Sequence, residues 1–480
     1  MSYYRPPGVY PEKLPTAGLI SLWQGARIPV IIGRGQRTIE ETDVITNHTL
    51  GGTDQLPEAA ASIVRVGDYY DQVRYVETTD FLFTGTVSSP SRNITWSPSG
   101  KEPASGGTYY VTYRKPVPSD QYDFQIYTDE NEIIRVHGAE SLEYLVTVGA
   151  IVALRQGCPA VGVLQINLED TGAYPSGGPD NPTDADYYVA FTRALAVLEQ
   201  LDTDQCRILV PMTTLDSVTY PILSDYLDHV YTMSLTSQRR WRTMIRGRAA
   251  TASASNSTVR DAFSTLAQSY RSHQAARRMV VVSPGEVSRV IRDPITGVAS
   301  AVNFDGSVLA AAAAGKICAY QTPAMPITMK DFTAVSMGRT FSNADMNIMA
   351  GNGVCIFFYK GRVLKCRHGI TCDLTNANTQ EISVVEIEDY IKVQSIFVLE
   401  TRYIGSMFTD ELTASIHASV IALWEQLINQ QVIDDYDAGS VSVSRDPDDP
   451  RICNIFGRVK PIYPLNWIDI RFKFYVGTAE

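Results

Sequence analysis

Three short apolar runs constrain the fold of this chain more than any other feature. Val161–Leu168 (VGVLQINL), Arg207–Pro211 (RILVP) and Met279–Ser283 (MVVVS) are each about a strand long and almost without polar residues. A strand with one wet face alternates, so continuous runs of this length point to strands covered on both faces. Ile28–Gly33 (IPVIIG) is a fourth such run, and Arg242–Arg246 (RTMIR) a weaker one. Helical patterns lie between them. Pro182-Thr183-Asp184 opens one helix, with Thr183 as cap, Asp184 and Asp186 in the first turn, and Val189, Leu195, Leu198 and Leu201 as the apolar stripe. The spacing also predicts helices over Ser141–Gln156, Ser217–Val230, Thr258–Ala275 (capped by Thr258 or Ser257) and the Ala-rich Ser307–Cys318. Alternating buried strands and amphipathic helices imply a largely parallel α/β sheet.

Several segments break that rhythm. Residues 1–20 carry Pro6, Pro7, Pro11 and Pro15, which favour extended backbone, so they read as an arm leaving the globule. Pro57–Val66 reads as a helix with Ala59, Ala60, Ile63 and Val64 on one face. From 75 to 118, short β-rich pieces alternate with Ser/Pro/Gly clusters, as in a small antiparallel module. After 336, Gly353–Tyr359 and Arg362–Lys365 suggest a hairpin around Lys360-Gly361. Helices follow at Ile387–Phe408 and Thr409–Gln430, then strands at Tyr436–Ser444 and Asn454–Pro461. In Trp467–Val476, Ile468, Ile470, Phe472, Phe474 and Val476 share one face, opposite Asp469, Arg471 and Lys473. The expected fold class is an α/β core domain (21–74 and 119–335) with an inserted small antiparallel β domain (75–118). A C-terminal α+β domain (336–462) and arms at 1–20 and 463–480 complete it.

The motifs of common chemistries are missing. There is no GxxxxGK[ST], and Gly33-Arg34-Gly35 lacks the third glycine of a dinucleotide fingerprint because Thr38 stands there. Ala334-Val335-Ser336-Met337-Gly338 has the outline of a nucleophile elbow without its first glycine. The six histidines are scattered and no HExxH occurs, so no metal cluster and no cofactor are expected. No apolar run reaches the ~20 residues that span a bilayer, and the first residues lack the pattern of a secretory leader. The formal charge of −11 argues against a general nucleic-acid binder.

That net charge conceals two local excesses. Between Arg239 and Arg278 stand nine arginines, including Arg239, Arg240, Arg242, Arg246 and Arg248, against the single acid Asp261. Asp434, Asp435, Asp446, Asp448 and Asp449 belong to an Asp-rich stretch near the C-terminus. Both can be solvated faces, or complementary patches that meet between copies of the chain. Charged residues make up only 19% while Tyr numbers 26, a balance suited to a surface committed to partners. The seven cysteines read as buried thiols. Cys366 and Cys372, flanking a turn-like Arg367-His368-Gly369, could meet across a hairpin or pair between subunits.

In order, these segments resemble the contractile tail sheath proteins of tailed bacteriophages and related injection systems. Arg5-Pro6-Pro7-Gly8-Val9-Tyr10 resembles the family's opening arm, and Val30–Gly33 its first strand. Gly162–Leu168, Pro182–Gln200, Ile208–Pro211 and Val280–Pro284 follow the family's core in sequence. Asn343–Cys355, with Ile348 and Gly351-Asn352-Gly353-Val354, resembles the run into its C-terminal domain. Val459-Lys460-Pro461 and Trp467-Ile468-Asp469-Ile470 resemble its closing strands. Two features depart from the pattern: Tyr359-Lys360-Gly361-Arg362 replaces an Arg-Thr motif, and Pro11-Glu12 follows Tyr10 where acidic residues are usual.

The resemblance implies hexameric rings stacked helically around a tail tube, and contraction that drives the tube through the host envelope. It implies intersubunit strand exchange by Pro7, Gly8, Val9 and Tyr10 at one end, and by Ile468, Ile470, Phe472, Phe474 and Val476 at the other. Partners would be further copies, the tube protein, and baseplate and tail terminator proteins. The location would be the virion tail, after assembly in the host bacterial cytoplasm. The β insertion would lie outside and the C-terminal domain would face the tube. The competing readings are a baseplate or other tail structural protein, and an α/β hydrolase using Ser336 with a distant His.

Overall fold

A computed structural model describes residues 27–68, 72–86, 90–117, 119–168, 182–201, 206–235, 240–249, 253–292, 298–320, 322–466 and 468–471. Pro7, Gly8, Val9, Tyr10, Arg239, Phe472, Phe474 and Val476 lie outside the described residues. Strand β1 (Ile28–Gly33) is buried along its whole length. The chain then leaves the main sheet to build a separate module. Its strands are β2 (Thr38–Ile45), β3 (Thr53–Ala60), β4 (Ser62–Gly67), β5 (Arg74–Tyr75), β6 (Phe81–Phe83), β7 (Ser91–Trp96) and β8 (Tyr109–Pro116). They form two antiparallel sheets, β2-β8-β4-β5 and β3-β7-β6. These close on a core of their own around Phe81, Ile94, Trp96, Tyr109, Val111 and Tyr113.

One carboxylate organises that core. Asp54 Oδ2 accepts from Trp96 Nε1 (2.8 Å) and Tyr109 OH (2.7 Å) and pairs with His48 Nδ1 (2.7 Å). Burial works against the charged carboxylate, but these three bonds outweigh it and hold its pKa below the ordinary value. The module begins at Thr38, well before 75. The helix expected over Pro57–Val66 is two strands. Ile63, Val64 and Val66 are β-branched, and β4 gains a ladder with β8 that no local periodicity reveals. The chain enters and leaves the module side by side: Thr38 pairs with Pro116, and Val117 N–H donates to Arg37 C=O (3.0 Å).

The core continues through β9 (Gln125–Tyr127), α1 (Glu130–His137), α2 (Leu145–Arg155), β10 (Val161–Gln165), α3 (Asp184–Gln200), β11 (Cys206–Pro211) and α4 (Ile222–Leu235). Next come β12 (Thr243–Arg246), α5 (Asn256–Arg271), β13 (Met279–Ser283), the hairpin β14 (Val287–Arg292) and β15 (Ala299–Phe304), and α6 (Gly306–Cys318). Short strands β16 (Asp331–Phe332) and β17 (Ser336–Met337), helix α7 (Asn343–Gly351), and β18 (Val354–Lys360) with β19 (Val363–Cys366) complete it. The nine-stranded sheet runs β16-β19-β18-β13-β12-β11-β1-β10-β9. Its six central strands, β18 to β10, are parallel. The β18–β19 hairpin expected in the C-terminal domain is thus part of the main sheet, because Val354, Cys355 and Ile356 pair with β13.

Helices cover both faces. On one, α2 and α6 are almost wholly buried. They approach closely because Ala and Gly line the contact; a Cβ on Gly315 would lie 2.4 Å from Ala153 O. On the other lie α3, α4, α5 and α7. Thr183 and Asp186 form the capping box of α3. The cap of α5 is Ser255, whose hydroxyl accepts from Thr258 N–H (3.2 Å), rather than Ser257 or Thr258.

The C-terminal module follows with α8 (Ala377–Gln380), α9 (Ile382–Tyr403), α10 (Asp410–Asn429), β20 (Ile433–Arg445) and β21 (Cys453–Pro461). Helix α9 ends at Tyr403, not Phe408, just before Gly405, whose φ of +91° an L side chain rarely adopts. Thr409 caps α10, and Ile416, Val420, Leu423 and Leu427 form its buried stripe. The antiparallel β20–β21 ribbon lies against α10. A Cβ on Gly457 would come within 2.3 Å of the Trp424 ring, so only glycine admits that contact.

Candidate intersubunit surfaces

A two-stranded ribbon is marginal alone, and α10 supports only one of its faces. Neither β20 nor β21 has a second strand neighbour among the described residues. Both outer edges therefore carry backbone groups able to take another strand. Apolar side chains stand unburied nearby: Phe456 is 61% exposed, Leu465 78%, and Met407 86%. Of the C-terminal strand candidates, Ile468 and Ile470 are described, three-quarters exposed and not in a strand.

Helix α9 joins this module to the core through an acidic first half. Glu386 pairs with Arg27 (3.1 Å) and Asp389 with Arg278 (2.5 Å), and all four side chains are buried. Glu388 pairs with Arg277 (2.9 Å) and with Lys392. Burial raises the Glu388 pKa, but Lys392, Arg277 and Arg278 overcome this and hold it below the ordinary value.

Within the Arg-rich segment, Arg242, Arg246 and Arg278 are buried, Arg240, Arg248, Arg260 and Arg277 are half-buried, and Arg271 is exposed. Arg242 is buried, with Nη1 against His229 Nε2 (2.5 Å) and Nη2 donating to Leu198 C=O (2.9 Å). Burial, then the nearby Arg242 and Arg240, push the His229 pKa down to about 3. Arg246 is buried against Asp216 (2.8 Å) and Tyr270. Arg248 is half-buried and donates to Ala262 C=O (2.8 Å), and Arg240 to Glu199 C=O (2.5 Å). Arg242 and Arg246 bracket β12, and Arg240 and Arg242 satisfy carbonyls in the last turn of α3. The Asp-rich stretch is more open. Asp434 pairs with Lys460 (2.5 Å), and Asp449 with Arg451 (2.8 Å). Asp446 closes the ribbon's turn by accepting from the Asp448 and Asp449 N–H groups (2.9 and 3.1 Å) and from Asn454 Nδ2 (2.8 Å). Asp435 and Asp448 are exposed.

The Cys366–Cys372 disulfide is not formed. Both thiols are free and buried, and Cys366 Sγ instead lies 3.5 Å from Cys355 Sγ on the adjacent strand. The hydroxyl of Ser336 bonds to the carbonyl (3.0 Å) and hydroxyl (2.7 Å) of Ser288, across the β14–β17 pairing. A crevice of about 420 Å³ opens beyond β1 and β11, the position where open α/β sheets take ligands. There Arg34 is tied to Glu143 (2.5 Å). No group of His, Cys, Asp and Glu suited to a metal occurs among the described residues. Sequence reasoning missed Arg27 and the α9 acids. Their signal was faint: an isolated basic residue before an apolar strand, and three acids within an otherwise apolar helix start.

Similarity to known proteins agrees with this architecture. Residues 29–131 match a family model described as a domain of unknown function, DUF4815. The tail sheath protein of Mycobacterium phage Bxz1 is 25% identical over 190 residues, covering 37% of this chain and 31% of that protein. The match thus spans about a third of that relative. The contracted helical sheath of the anti-feeding prophage superposes with a TM-score of 0.52 at 11% identity, covering 98% of this chain and 99% of that one. The contracted PVC sheath complex, an extracellular contractile injection system, gives 0.50 at 8% identity, covering 98% of each. The chain therefore has the fold of contractile sheath proteins along nearly its whole length. These similarities agree with the resemblance to tail sheath proteins read from the sequence.

Proposed function

We propose that this chain is the structural subunit of a contractile phage tail sheath. The observation that carries the proposal is the fold match to contracted sheaths over almost the entire chain. Copies would form hexameric rings that stack helically around a tail tube and meet baseplate and terminator proteins at its ends. The open β20–β21 ribbon supports strand exchange, since its edges are suited to accept arms from neighbours. Residues 1–20 and 463–480 would be the donated strands. Contraction would draw on new contacts between subunits and needs neither a cofactor nor a catalytic group.

Negative-stain electron microscopy of the purified chain tests this directly: long sleeves are expected. Small closed rings would favour a baseplate role instead. Removing residues 1–12, or 463–480, should leave a folded monomer that makes no sleeves. Normal sleeves from either truncation would refute the strand-exchange reading.

A further inference from the structure

The β18–β19 hairpin brings two thiols together on one face of the main sheet. Phe357 stands opposite Cys366 in the antiparallel register. Cys355 lies two residues before Phe357, so it points to the same face and is the diagonal neighbour of Cys366. Their sulfurs are in contact at 3.5 Å. Both side chains are fully buried, in the core that the sheet shares with α2 and α6. Cys372 packs in the core on the opposite face, so it is turned away from Cys366 despite its closeness in sequence. The hairpin also lies toward an edge of the sheet. Beyond β19 stands only the two-residue β16, pairing Asp331 with Lys365 and Phe332 with Leu364.

From this juxtaposition we infer that Cys355 and Cys366 are an oxidisable pair, which a small peroxide converts to a disulfide that staples β18 to β19. The inference goes beyond the sheath reading and does not depend on it, since it needs only this hairpin. A disulfide bond is about 2.0 Å long, so the sulfurs have about 1.5 Å to close. The thiolate, not the thiol, is the nucleophile. Burial, and then the neighbouring Cys355, push the Cys366 thiol well above its ordinary pKa, so reaction waits until the hairpin loosens at the sheet edge. One thiol then gives its proton to water, and its sulfur attacks a peroxide oxygen. The O–O bond breaks, the sulfur becomes a sulfenic acid, and the departing hydroxide takes up that proton as water. The second thiol attacks the sulfenic sulfur. The S–O bond breaks as the S–S bond forms, and hydroxide leaves with the second thiol's proton as another water. The two thiols lose two electrons, and hydrogen peroxide gains them. The closed loop holds the ten residues between the cysteines, so the staple acts on this hairpin alone.

The test uses the full-length chain with Cys453→Ser, which removes the one cysteine that is not buried. The protein is treated with hydrogen peroxide, its remaining thiols are blocked with a maleimide in denaturant, and the unreduced digest is read by mass spectrometry. The expected product is a peptide pair joining Cys355 to Cys366, with Cys158, Cys206, Cys318 and Cys372 carrying maleimide. Mild urea should speed its formation by populating the open hairpin. Hydrogen exchange of the β19 amides should slow about a hundredfold on oxidation, the size expected for a closed loop of this length, and recover with dithiothreitol. Cys366→Ala should abolish both the cross-link and the slowing, and Cys355→Ala serves if that variant does not fold. A link from either cysteine to a different one, or sulfinic acid at either without a link, would overturn the pair. So would two intact thiols after treatment in urea just below the unfolding midpoint.

Discussion

The Arg278–Asp389 pair gives the sharpest quantitative expectation. Arg278 is fully buried and Asp389 nearly so, and two bonds of 2.5 Å join them. Asp389→Ala leaves a guanidinium in the interior with only the distant Arg242 carbonyl (3.4 Å) as a described acceptor. Removing one member of such a pair costs about 3–5 kcal/mol, since the remaining charge keeps its desolvation penalty. Replacing both by apolar residues of similar volume is about neutral. Asp389→Ala should therefore lower the urea midpoint by roughly 1 M or more, and Arg278→Met with Asp389→Leu should restore most of it. Equilibrium unfolding followed by tryptophan fluorescence reads both. The reasoning fails if Asp389→Ala costs less than about 1 kcal/mol, or if the double variant is no better than the single.

Four further outcomes follow from the packing and the charges. Gly247→Ala would place a Cβ 1.9 Å from the Gly306 carbonyl carbon, where α6 begins, so soluble yield and melting temperature should both fall sharply. Gly315→Val should separate α2 from α6 and destabilise by roughly 1–3 kcal/mol, read by thermal melting. His229 has a pKa near 3 in the folded chain, below its unfolded value of 6.5. The unfolded state therefore binds the extra proton between those limits, and stability should fall as pH drops through that window. His229→Gln should flatten that slope in urea melts taken between pH 7 and pH 4. Asp54→Asn should loosen the β module, seen as faster hydrogen exchange in β3, β7 and β8 with β13 unchanged, since the carboxylate's three bonds lie in one separate core.

The main sheet was legible because burial on both faces writes itself as continuous apolar sequence: Ile28–Gly33, Arg207–Pro211 and Met279–Ser283 all fall on central strands. The cap of α3 was legible for a similar reason, since Thr183 precedes an acidic first turn. Pro57–Val66 misled because its apolar spacing fits a helix, while the ladder that decides the matter comes from Tyr109–Pro116, far along the chain. The arginines misled for the opposite reason. Charge in sequence suggests surface, yet Arg242, Arg246 and Arg278 are buried with partners supplied by distant elements. Which cysteine faces Cys366 depends on strand register, and that too is invisible locally.

The paired doorway of the β module has a consequence for how such a chain can change. Its two crossing points are already hydrogen-bonded neighbours, at Arg37 and Val117, and its interior packs on itself. A short turn could replace everything from Thr38 to Pro116 without asking β1 or any helix to move. The same doorway could admit a different guest domain whose own ends lie close together. Loss, gain or exchange of this module is therefore a single genetic step that leaves the parallel sheet intact.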